Sequence, residues 1–473
     1  MKTLHISASV CLILATTAAA VPPRAAVAEW NNFLATCGVF STVAGNGGNA
    51  SLSTSDWIPA FENGPATSCD LSNPHAVGAD ALGNIYIADK TSHSILKVTP
   101  DGLIHTWAGT HVAGTGTDAL TLATNVALNQ PNGLFVFPDG TVFVYDAGNH
   151  RIRKITPAGK MSTVINDLDI RWSSSGRGLW VNQKKTVIYY TMEVDDTAGS
   201  GSLGGVVKKW TPTGGIHAIT AYPATPSATN LEFRNPGNID VNPITGKLYV
   251  TDRAESDATL TKSKVWRIDV EGVNGSACTK TRVAGNGNSA IPGGDGVLAT
   301  ATFLDQVRGI SFLPNGAYFL ATHQGGDIWY VDTYGYIHLF IQGRGTDDKH
   351  LGEGLNPPIV GADCISEPRS VTVAPSGSVL IVTNDTGYVR TVARSAPPVP
   401  AIKAFGWLPT DPTRWRLLWP SEVGRTYLVE RCFDLEGPWD VRRIVTSSSI
   451  QTTFLETVPA TESRVFYRLA PPR

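Results

Sequence analysis

The chain has 473 residues, which calls for two or more hydrophobic cores rather than one. A formal charge of -2 removes any global electrostatic case for nucleic acid or for an anionic membrane surface. Gly 47 and Pro 30 beside only Met 3, with 42% hydrophobic and 16% charged residues, point to many short strands joined by turns and argue against a helical protein.

In chain order, residues 1–28 read as an export signal. Lys2 gives a positive start, Ile6 to Ala20 form an apolar stretch, and Ala18-Ala19-Ala20 offers small residues for cleavage. The stretch is shorter than the roughly 20 apolar residues of a membrane span. The expectation is a secreted, cell-surface or periplasmic monomer without a transmembrane segment.

A repeat follows. In its clearest copy, Pro131-Asn132-Gly133-Leu134-Phe135-Val136 leads through Pro138-Asp139-Gly140 to Thr141-Val142-Phe143-Val144-Tyr145-Asp146. Then come Asn149-His150-Arg151-Ile152-Arg153-Lys154-Ile155 and a fourth strand around Ser162-Thr163-Val164. Other copies start at Pro74, Gly176, Pro236, Val307 and Pro368. Six twisted four-stranded sheets cannot each bury both faces alone, and radial packing solves that problem. The last copy lacks a fourth strand. Phe40-Ser41-Thr42-Val43-Ala44-Gly45-Asn46-Gly47 matches Thr281-Arg282-Val283-Ala284-Gly285-Asn286-Gly287, a fourth strand in mid-chain. The N-terminal strand is therefore expected to close the last blade and leave no open edge.

The segments Ala88-Asp89…His93-Ser94-Ile95 and Tyr145-Asp146-Ala147-Gly148-Asn149-His150-Arg151-Ile152 resemble NHL repeats, as do the linkers Val283 to Gly287 and Gly293-Gly294-Asp295-Gly296. The resemblance implies an all-β, six-bladed NHL-type β-propeller over residues 29–395. A Pro-rich linker, 396–400, leads to residues 401–473. There, strands alternating with aromatic residues suggest a small β-sandwich. Gly424-Arg425-Thr426-Tyr427…Pro438-Trp439…Phe466-Tyr467-Arg468-Leu469 resembles fibronectin-III-like domains of exported bacterial proteins.

Propeller topology places the residue after each blade start in one ring at the channel mouth: His75, Asn132, Arg177, Gly237, Arg308 and Arg369. Guanidinium forks there match a carboxylate, sulfate or phosphate. The competing reading pairs those arginines with Asp89, Asp146 and Asp252, which end second strands on the same face. His323 and Asn384 stand beside the positions where copies five and six replace that Asp by Thr322 and Thr383. The ligand-binding set is thus His75, Asn132, Arg177, Arg308, Arg369, His323 and Asn384. Candidate catalytic groups are His75, His323, Arg308 and Arg369.

The expected partner is an extracellular glycan, a small acid or a protein, bound at the channel face. The alternative is a lyase or hydrolase acting on uronate-type carbohydrate, or on a substrate like that of the peptidyl-amidating lyases. Those lyases resemble NHL propellers and imply a zinc held by three histidines, a set not matched here. No cofactor motif appears. Gly293 to Gly296 and Asp347-Asp348 would be the places for calcium, without a binding pattern to support it. His105, His217 and His338 read as peripheral. Cys69 and Cys364 precede the first strands of blades one and six, and a disulfide between them would lock the seam.

Overall fold

The computed structural model describes residues 22–48, 55–168, 177–195, 202–222, 231–253, 263–287, 294–343, 351–360, 364–383, 387–395, 399–408, 410–433, 438–457 and 465–473. The expected signal segment up to residue 21, Gly176, Gly293, Asp347-Asp348, Asn384 and linker residues 396–398 lie outside them.

Six antiparallel blades surround one channel. Blade 1 is typical: Pro74–Ala79 lies innermost, followed outward by Ile85–Asp89, Ser94–Val98 and Ile104–Gly109. The innermost strands of the others are Pro131–Val136, Leu179–Val181, Pro236–Val241, Val307–Phe312 and Pro368–Val373. Blades 2 and 5 gain a short fifth strand, Thr121–Leu122 and Val297–Leu298, from the connection that enters the blade. Each interface between blades carries its own apolar cluster, which is how a two-faced sheet buries both sides.

The ring closes as the repeat arithmetic requires. Cys37–Ala44 pairs antiparallel with Tyr388–Arg394, with Phe40 opposite Val392 and Thr42 opposite Arg390. The seam is reinforced by side chains. Phe40 is fully buried beneath the Arg390 guanidinium, 4.2 Å from its ring centre. Glu353 holds both sides, accepting from Arg390 at 2.7 Å and from the Thr42 amide at 2.9 Å.

A helix, Arg24–Leu34, precedes the closing strand and straddles the expected end of the signal at residue 28. It buries Ala26, Trp30 and Phe33, one stripe at helical spacing. Trp30 stacks on His338 (4.8 Å) and Phe33 on Tyr330 (4.6 Å), both of blade 5. His338, on the outer strand Tyr336–Ile341, is peripheral to the channel yet buried. The unforeseen helix covers it, and Asp332 lies 3.2 Å from its Nε2.

No disulfide joins Cys69 and Cys364. The two buried sulfurs sit in separate apolar clusters, Cys69 with Ala66, Leu71 and Val389, Cys364 with Phe40, Ile365 and Val392. Adjacent loops did not bring the side chains to the same core.

Residues beyond 399 form two three-stranded antiparallel sheets. Ala404–Leu408, Asp411–Pro420 and Gln451–Thr457 make one, and Thr426–Cys432, Asp440–Thr446 and Phe466–Ala470 make the other. Trp419, Leu417, Tyr427 and Val429 fill the space between them. The unit meets the propeller through its tail, where the Arg473 amide donates to the Ala81 carbonyl at 3.0 Å.

Candidate functional site: a cationic rim at the channel mouth

Five innermost strands share one irregularity. Pro74 pairs with Asp89 and Ala76 with Ala88, so His75 is extruded from the ladder. The same break occurs after Pro131, Pro236, Val307 and Pro368, and it extrudes Asn132, Gly237, Arg308 and Arg369. A bulge re-aims the extra residue out of the pleat. The repeat thus delivers one residue per blade to the channel mouth, a side chain in every blade but the fourth, where it is Gly237, with Arg177 just before the short strand of blade 3.

Contacts around the ring show that these positions adjoin. His75 Nδ1 meets the Asn132 amide. A side chain on Gly133 would strike the Arg177 carbonyl, and one on Gly237 would approach the Arg308 carbonyl at 3.3 Å. Hydroxyls stitch the circle: Thr191 donates to the Gly237 carbonyl at 2.9 Å and Thr251 to that of Arg308 at 3.2 Å.

Two further tiers surround the ring. One residue past each second-strand Asp, or its equivalent, stand Lys90, Glu193, Arg253 and His323. One residue before the innermost strands stand Asn73, Gln130, Asn235, Gln306 and Glu367. Four of these five, Asn73, Gln130, Gln306 and Glu367, hold positive φ angles between 41° and 63°. Left-handed backbone is uncommon outside glycine, and its recurrence marks a conformation imposed for the side chain it presents. The tiers touch the ring and each other. Asn73 lies 3.0 Å from His75 Nε2 and Gln306 accepts from Arg308 at 3.3 Å, while between the tiers Glu367 lies 2.9 Å from His323 Nε2. Glu193 is approached by Arg177 at 3.5 Å and Arg253 at 4.0 Å, with Asn235 bridging once its amide is turned.

The expected neutralisation by the repeat aspartates does not occur. Asp89 accepts from the Ser72 amide (3.0 Å) and Ser92 (2.8 Å). Asp146 takes the Asn129 amide (2.8 Å) and the buried Arg153 (3.0 Å), and Asp252 takes the amides of Arg234 and Asn235. Each carboxylate caps the loop entering its own blade and leaves the channel cations alone. Among the described residues of these tiers, Lys90, Arg177, Arg253, Arg308 and Arg369 outnumber Glu193 and Glu367 by three, counting the histidines as neutral.

That field reaches across the mouth. Burial first, then Lys90, Arg369 and Arg177, holds His75 well below the usual imidazole range. Burial, followed by Arg177 and Arg369, brings the Lys90 ammonium down to about 8. Arg308 is the least compensated member. It is 4% exposed, bonds only to Gln306, and its Nε and Nη1 have no partner among the described residues.

Sequence reasoning placed His75, Asn132, Arg177, Arg308, Arg369 and His323 at this mouth, and the structure brings them together. It missed Lys90, Glu193, Arg253 and the left-handed tier. The position after the repeat Asp, already used for His323, would have pointed to Lys90 and Arg253. Both ring nitrogens of His75 are engaged by amides, so His75 is bound into the rim. Among the described residues no three His, Cys, Asp or Glu side chains gather as a metal site.

A cavity of about 890 Å³ touches the ring at Arg177 and extends along the innermost strands to Ala25, Ala28, Pro471 and Pro472. The sandwich and the helix thus stand at its far end.

The NHL repeat profile matches residues 128–155, the first three strands of blade 2. No curated protein matches the chain. Among solved structures, a Bacteroides thetaiotaomicron protein of unknown function is similar at 12% identity and TM-score 0.51, over 75% of this chain and 76% of that one. An auxiliary nutrient binding protein from Bacteroides ovatus is similar at 14% identity and TM-score 0.50, over 76% and 77%. A gluconolactonase from Xanthomonas campestris shares 11% identity at TM-score 0.43, over 68% and 87%. The chain is thus a six-bladed β-propeller that carries an NHL repeat at residues 128–155.

Proposed function

We propose that this propeller is an exported binding protein that takes an acidic ligand at its channel mouth. The observation that carries the reading is Arg308, a guanidinium almost wholly buried with two donors unmet, in a rim with surplus positive charge. A buried cation without a counter-ion is costly, and an incoming carboxylate supplies both the charge and the missing acceptors. Export rests on the apolar N-terminal stretch, and the C-terminal unit is read as a fibronectin-III-like tether. Binding of glucuronate, benzoate and octanoate to wild type and Arg308→Gln, at matched ionic strength, tests the site. At least one acid should bind the wild type about tenfold more tightly, since a charged hydrogen bond contributes on the order of 1.5–3 kcal/mol. Equal binding of every acid by both proteins overturns the proposal.

The 2.9 Å approach of Glu367 to His323 favours a second reading. A carboxylate that orients an imidazole beside arginines is an arrangement for removing a proton next to an acid group, as in a lyase acting on uronates. Turnover of uronate-containing glycans that disappears in His323→Gln would support it, and an inactive wild type would sink it.

A further inference from the structure

Directly beneath the polar ring lies an apolar one. Two residues beyond each ring position, every blade places an aliphatic side chain: Val77, Leu134, Leu179, Ile239, Ile310 and Val371. All six line the cavity. A second tier, two residues further on, includes Val136 and Phe312. The polar side chains between these tiers are spent on the scaffold. Asp240 accepts from the amides of Phe312 (2.8 Å) and Val241 (2.7 Å), Ser311 from that of Val373 (3.0 Å), and Thr372 donates to the Val77 carbonyl (2.8 Å).

Charges at the far end are likewise held. Glu29 accepts from Tyr330 (3.0 Å) and the Thr333 amide (3.1 Å), Arg394 donates to Thr36 (3.0 Å), and Arg425 pairs with Glu422 (3.1 Å). The volume of about 890 Å³ is that of a drug-sized ligand site.

We infer that the ligand of this channel is an amphiphilic acid, whose carboxylate sits on the Arg177–Arg308 rim and whose aliphatic body enters the collars toward Pro471 and Pro472. The inference rests on the acid-binding reading above and names the class of acid. A sugar acid fits the collars less well, because hydroxyls set against their aliphatic side chains would lose water, with Asn238 and Ser370 the polar side chains between rim and collar.

Calorimetric titration of the full chain with acetate, hexanoate, octanoate and glucuronate, below micellar concentrations, tests it. Affinity should rise about threefold to fourfold per methylene between hexanoate and octanoate, the increment of a buried CH₂. Glucuronate should bind no better than acetate. Arg177→Gln should weaken every acid, whereas Leu134→Asn should flatten the chain-length dependence. Because Leu134 is half-buried, its variant keeps most of the core, and circular dichroism checks the fold. Acids that bind in an Arg308-dependent manner with no chain-length gain, or glucuronate as the tightest ligand, overturn this inference and leave the acid site standing. If no acid shows Arg308 dependence, both fail together.

Discussion

Lys90 and His75 make the channel mouth sensitive to pH in two separate windows. Lys90 titrates at about 8, so the rim loses one positive charge as pH rises through that value. Acid ligands, which favour the ammonium, should bind more weakly at pH 9 than at pH 7, and Lys90→Gln should remove most of that slope; titrations at both pH values check this. His75 has its proton affinity lowered in the folded state by burial and by its cationic neighbours. The unfolded chain then binds more protons below the free imidazole value of about 6.5, and stability falls as pH drops through it, by up to about 1.4 kcal/mol per pH unit. The aspartates teach a different lesson at this scale. Asp146 and Arg153, both fully buried, satisfy each other inside blade 2 and are unavailable to the channel.

At the level of single elements, the closing strand and the recurrent bulge matter most. Cys37–Ala44 is the outer strand of a blade whose other strands lie more than 300 residues later in the chain. Its hold depends on Phe40, Arg390 and Glu353. Phe40→Ala removes a fully buried ring and uncovers the Arg390 guanidinium, and should cost about 3–5 kcal/mol, read as a lower midpoint in denaturant. Hydrogen exchange should then rise first along Tyr388–Arg394, because losing its partner leaves that strand as an open edge. A midpoint unchanged from wild type would show that the seam is held elsewhere. The bulge has the opposite role. It weakens one ladder step in five blades and, in the four that do not place glycine there, turns a side chain into the channel.

For the whole molecule, closure without covalent help is the main consequence. The ring is sealed by backbone pairing and an ion pair, with no disulfide between Cys69 and Cys364. A reducing agent should therefore leave the thermal midpoint unchanged, and scanning with and without dithiothreitol decides it. A drop of several degrees on reduction would mean that a seam cystine forms. The two ends of the channel also differ in character. One is a cationic rim made by the propeller itself, and the other is covered by the helix and by the sandwich through Pro471 and Pro472.

Periodicity in the amino-acid sequence was enough to establish six blades, their start points and closure by the N-terminal strand. A repeated strand pattern has only one economical way to bury both faces of every sheet. It was also enough to place His75, Asn132, Arg177, Arg308, Arg369 and His323 on one face, since equivalent positions in a cyclic repeat must coincide. Tertiary structure alone decided where the charges went. The aspartates turned to loop amides instead of the arginines, a choice set by backbone geometry near Ser72, Asn129 and Arg234. It also decided that Cys69 and Cys364 enter different cores, and that a helix covers His338. Those outcomes depend on which side of a loop or sheet a side chain faces in three dimensions, and nothing in repeat spacing encodes that direction.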